Sequence, residues 1–152
     1  MGPYVVARAQ AKWYHVLWAT RRHRRIFKIP ALRRFCEREV LRSCAARHWR
    51  VNRASIAPDH VRLLVRASAQ LSRSDLVREL KDAVARAVRR AGFEGSPSRL
   101  WDDRWWCATV ASGRGIEAVR RHIEGLSAAS AVQVAEAAVG KECQALKDDH
   151  HA

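Results

Sequence analysis

Acidic side chains are scarce in this chain: 15 Asp and Glu stand against 29 Lys and Arg over 152 residues, a formal charge of +14 with a pI near 11.1. Such a surface repels cationic partners and makes a polyanion the default ligand, nucleic acid ahead of membrane. Long apolar runs are also missing, since nothing approaches the roughly 18 residues of a spanning helix. With no signal-like segment behind the N-terminus either, the expectation is a soluble, cytoplasmic, nucleoid-associated protein. The four cysteines, Cys36, Cys44, Cys107 and Cys143, lack CxxC spacing and sit in apolar or helical patterns. They read as small buried thiols, not as a zinc finger or a disulfide framework. Tyrosine is scarcer still, limited to Tyr4 and Tyr14.

What is present has clear periodicity. The stretch 12-KWYHVLWAT-20 is rich in aromatic and β-branched residues and runs into the basic cluster 21-RRHRR-25, a strand entering a positive loop. Pro30 suits a first helical turn, and Leu32, Phe35, Cys36 and Val40 follow at helical spacing, so a helix is expected over 30–47. Strands are expected over 49–57 and 60–67, joined by a Pro58-Asp59 turn with His60 near the bend. Ser72 and Ser74 are candidate caps of a second helix whose stripe is Leu76, Leu80, Val84, Ala87 and Val88, closed by Gly92 and Gly95.

In 100-LWDDRWWCATVA-111 the WWCATVA half is the expected last strand, because Asp102 and Asp103 disfavour extension. Trp105 and Trp106 must then face opposite sides, with only one inward. Gly113 and Gly115 open a third helix with Ile116, Val119, Ile123 and Leu126 on one face and His122 at its edge. Strand, helix, strand, strand, helix, strand is the order of an α+β ferredoxin-like βαββαβ antiparallel sheet, here with an additional C-terminal helix. Residues 1–126 make that domain and 127–152 an alanine-rich tail, helical or partly disordered.

The segment 58-PDHVRLLV-65 aims His60, Arg62 and Leu64 at one side of a strand and Val61, Leu63 and Val65 at the other. Together with 14-YHVLWATRRHRR-25, 100-LWDDRWWCATV-110 and 119-VRRHIEGL-126, it resembles the small single-strand transposases of bacterial insertion sequences. These are the His-hydrophobe-His tyrosine class, which includes the REP-associated tyrosine transposases. The likeness runs from about Trp13 to Leu126. It implies two strand histidines holding a divalent metal, Mg²⁺ or Mn²⁺, at a scissile phosphate. It also implies a tyrosine on the following helix as nucleophile and a glutamine one turn on to complete the metal site.

Three of those four positions depart from the pattern. His60 matches the first metal histidine, but Arg62 stands at the second, and a guanidinium offers a metal no lone pair. His122 occupies the nucleophile position and Leu126 the glutamine position. Cleavage chemistry is therefore expected to be impaired or lost, and no cofactor is expected unless the ancestral metal site survives. The partner implied is single-stranded or hairpin DNA, met by Arg21, Arg22, Arg24, Arg25, Arg62 and Arg66. The resemblance also implies a homodimer. Two alternatives stay open: an active nickase with a rebuilt site using His60 and His122, and an RNA-binding domain on the same fold.

Overall fold

The computed structural model describes residues 11–93 and 99–126. The expectations for the tail, Tyr4, Gly95 and Cys143 lie outside the described residues. Strand β1 (Ala11–Thr20) leads through two short 3-10 turns, Arg21–His23 and Ile26–Lys28, into helix α1 (Pro30–Ala46). Strands β2 (Arg50–Ile56) and β3 (His60–Ser68) form the expected hairpin, and helix α2 (Arg73–Ala91), strand β4 (Trp101–Val110) and helix α3 (Gly113–Leu126) follow. The four strands make one antiparallel sheet in the order β2-β3-β1-β4. This is the ferredoxin-like arrangement, with α3 as the added helix.

The helix boundaries follow local chemistry. Pro30 occupies the first turn of α1, where its missing N–H costs nothing. Ser72 Oγ accepts the Asp75 N–H at 3.1 Å to cap α2, while Ser74 falls inside the first turn. Gly92 ends α2 in the left-handed region at φ 66, open to glycine without strain.

Alternation along the strands sorts the sheet into two faces. Tyr14, Val16 and Trp18 of β1 and Val61, Leu63 and Val65 of β3 turn toward α1 and α2, meeting Leu32, Cys36, Val40, Leu76, Leu80 and Val84 in the main core. Each such aliphatic side chain contributes about 1.5 to 3 kcal/mol by leaving water. Cys36, Cys44 and Cys107 are buried free thiols. Burial pushes Cys44 and Cys107 up to about 12, which leaves both inert at neutral pH.

Strand β4 begins earlier than expected, since Asp102 and Asp103 lie within it. It is an edge strand paired only with β1, through a register shift between Trp18 and Thr20, so both carboxylates can stay hydrated or paired. Asp102 accepts the Arg104 backbone N–H at 3.3 Å and its guanidinium at 3.0 Å, while Asp103 pairs with Arg99. The two tryptophans do face opposite ways, but both find cover. Trp105 packs half-buried against the main core, whereas Trp106 joins Leu17 on the second face. That second face, partly covered by α3, carries the residues considered next.

Candidate functional site

The register between β1 and β3 sets Leu17 opposite Arg62, Ala19 opposite His60 and His15 opposite Leu64. In an antiparallel pair, opposed residues share a face. His60, Arg62 and His15 therefore line one side of the sheet, with Trp106 and Ala108 of β4 alongside. Helix α3 lies over the β2–β3 half of this side, anchored by the fully buried Ile123 and by an ion pair between Arg53 of β2 and Glu124.

His60 is 2 % exposed, and its Nδ1 lies 2.9 Å from Oδ1 of the equally enclosed Asp59. Burial alone would raise the Asp59 carboxyl, but the hydrogen bond and charge of His60, with His23 behind, hold it below its usual value. An ionised carboxylate only accepts, so Nδ1 of His60 donates and Nε2 is left as the basic or ligating nitrogen. A carboxylate behind the ring is how a metal-binding or general-base histidine is commonly oriented.

Arg62 is fully enclosed at 0 % exposure, two residues along the same face. In this arrangement its guanidinium does not reach solvent and so does not meet nucleic acid directly. Its charge is felt by two imidazoles. His15, 5 % exposed, is lowered to about 3 by burial first, then by Arg62 and His122. Its ring meets Trp106 edge-on at 4.7 Å, and its Nε2 has no hydrogen-bond partner among the described residues. His122 stands at the solvent edge of α3 with its ring centroid 6.5 Å from that of His15. Its pKa is also lowered, by partial burial and then by Arg62.

The donor set does not fit a divalent ion. His60 has the orientation of a ligand, but a permanent cation holds the neighbouring position. Among the described residues no three His, Cys, Asp or Glu side chains converge as a metal site. Nor does any hydrogen bond or ring contact among the described residues join His60 to His122.

The basic loop lies at the His60 end of the sheet. Thr20 donates its backbone N–H to Asp59 O at 2.8 Å and its hydroxyl to Arg24 O at 2.6 Å, which ties the turn down. Arg22 and His23 both adopt left-handed backbone, φ 55 and 53, where a residue with a Cβ is strained by roughly 1 kcal/mol or more. Arg22, Arg24 and Arg25 are exposed, and Arg21 is half-buried. His23 Nδ1 comes within 3.8 Å of Asp59 Oδ2. Arg66 does not join them, because it lies six positions along β3 from His60, about 20 Å.

Sequence reading missed His15, Asp59 and His23 as members of this group. The alternation of His15 with Leu17 was the available signal, but only the β1–β3 register turns it into proximity to Arg62.

A family model described as an IS200-like transposase matches residues 9–125. Among solved structures, one of a Deinococcus radiodurans R1 protein assigned to the transposases superposes with a TM-score of 0.59 at 22% identity, covering 76% of this chain and 90% of that one. A REP-associated tyrosine transposase bound to a REP hairpin gives 0.58 at 13% identity, covering 74% of this chain and 64% of that one. The comparison with curated proteins returned no match. With residues 9–125, most of its length, matched by the family model, the chain belongs to the IS200-like transposase family.

Proposed function

We propose that this protein is a DNA-binding member of its family that recognises single-stranded or hairpin DNA, and in which metal-dependent strand cleavage is impaired or lost. The observation that carries the reading is Arg62, an enclosed cation at the position of the second metal histidine, on the same sheet face as His60. A fixed positive charge there disfavours a bound cation, which impairs the metal-dependent step. The histidine at position 122, where the family carries its tyrosine, supports the same conclusion. So does Leu126 at the glutamine position. The exposed arginines of the loop after β1 supply sequence-independent attraction to the backbone. A homodimer is part of the proposal by family analogy.

One observation favours an alternative. Asp59 orients His60 as it would a general base, so an active nickase using His60 and His122 has half of its machinery arranged. Labelled hairpin-containing single strands incubated with the protein and Mg²⁺ or Mn²⁺ separate the two. The proposal expects retained binding with no covalent protein–DNA adduct. An adduct that disappears in His122→Phe would replace it with the nickase. Binding itself is checked by salt titration, in which log K should fall by about 0.7 per neutralised phosphate on a single strand for each unit of log salt. A flat titration removes the nucleic-acid reading, and stronger binding to a matched RNA hairpin would shift it to RNA.

A further inference from the structure

Outside the His60 face, the outer edge of β4 carries a basic groove. Two open clefts of about 330 and 340 Å³ adjoin there, sharing Arg99, Trp101, Asp102 and Asp103 as their common wall. The first is flanked by Arg21, Arg22 and Arg104, and the second by Lys81, Arg86 and Arg89 of α2. Seven cationic side chains thus face three carboxylates, Asp82, Asp102 and Asp103. Like charges gathered in one groove repel one another, so their concentration calls for an anionic occupant.

The groove is also held in shape. Arg21 N–H donates to Leu100 O at 3.0 Å, fastening the basic turn to the start of β4. Lys81 Nζ donates to Asp102 O at 2.7 Å and Trp101 Nε1 to Lys81 O at 2.9 Å, fastening α2 to the other wall. The consecutive left-handed residues Arg22 and His23 lie at its mouth, and strained backbone of this kind persists where surrounding structure over-determines it. His23 lines the first cleft and also approaches Asp59, which holds His60. The groove therefore starts one side chain away from the His60 pair and runs along the β4 edge.

We propose that this is a second phosphodiester-binding groove, which takes the DNA strand leading away from the His60 face. Guanidinium groups supply the paired donors that suit successive phosphate oxygens, and the edge position leaves the strand's bases in solvent, so binding there is independent of sequence. The inference rests on the DNA-binding reading above, and its test keeps the two apart.

The full chain is titrated with a labelled DNA hairpin carrying a single-stranded flank, and with the same hairpin blunt-ended. The variant Arg99→Gln/Arg104→Gln is compared with Arg42→Gln/Arg78→Gln. Each of these four arginines is paired with a nearby carboxylate, so the two variants lose the same charge and each leaves two carboxylates behind. The groove variant should bind the flanked hairpin roughly tenfold to thirtyfold more weakly at 0.1 M salt, with a salt slope smaller by about 1.4, while the control changes little. Loss on the blunt hairpin should be smaller. Arg22→Gly supplies a second readout, because relief of the left-handed strain should raise Tm while affinity for the flanked strand falls. Equal behaviour of the two double variants on the flanked hairpin overturns the groove and leaves DNA binding standing. Failure of the parent protein to bind either hairpin overturns both.

Discussion

At residue 15 an imidazole is kept where protonation is most costly. His15 is lowered from 6.5 to about 3 by its burial, then by Arg62 and His122, so between those values the unfolded chain binds a proton that the folded chain refuses. The resulting stability is fully present above pH 6.5 and is lost as pH falls toward 3, by about 4 to 5 kcal/mol in total. Asp59, also lowered, adds a loss that begins only near its ordinary value of 3.8. Thermal unfolding from pH 8 to 4 should therefore show Tm dropping with acid, and His15→Leu should flatten the decline above pH 4. An unchanged decline in His15→Leu would place the acid sensitivity in another group. The placement of His60 and Arg62 on one face was readable from the eight residues 58-PDHVRLLV-65. The enclosure of Arg62 was not, because burial depends on long-range packing that strand alternation does not encode.

At the scale of elements, sequence reading works best where the signal is local. The α1 and α2 boundaries follow from Pro30, Ser72 and Gly92, each of which acts within one turn of its own position. Ser72→Ala should accordingly cost about 1 kcal/mol, seen as a lowered Tm with unchanged fold. The start of β4 was misread because strand propensity weighs Asp102 and Asp103 without knowing that the strand lies at an edge. Helix α3 shows the same limit. Its stripe was visible in the sequence, but its seat against β2 and β3 is a long-range matter, resting on Ile123 and the Arg53–Glu124 pair. Ile123→Ala should remove about 2 to 5 kcal/mol of packing. Arg53→Ala, breaking a pair about 40 % exposed on both sides, should remove less than 1 kcal/mol. Hydrogen exchange localises the difference: amides of α3 should exchange much faster in Ile123→Ala and scarcely faster in Arg53→Ala. Equal acceleration in both would show that the ion pair, not the apolar contact, seats the helix.

For the molecule as a whole, the proposed impairment of cleavage would rest either on a few positions or on the scaffold. The sheet order, the helix over the His60 face and the Asp59–His60 pair are all in place, and on the proposed reading Arg62, His122 and Leu126 are the positions to restore. On a strand, residues two apart point the same way, which makes position 62 geometrically fit for an imidazole facing His60. Position 122 already sits above this face, close enough for Arg62 to perturb its titration. Arg62→His with His122→Tyr and Leu126→Gln should therefore cleave hairpin-containing single strands in Mn²⁺ and leave a covalent protein–DNA link, while the parent does neither. The single change Arg62→His removes an enclosed charge as well, and it should raise the pKa of His15, measurable by NMR titration of its ring. Taken together, these readouts separate two outcomes. A raised His15 pKa without cleavage by the triple variant would mean that the charge at position 62 was removed as intended, and that the proposed impairment does not reside in these three residues alone.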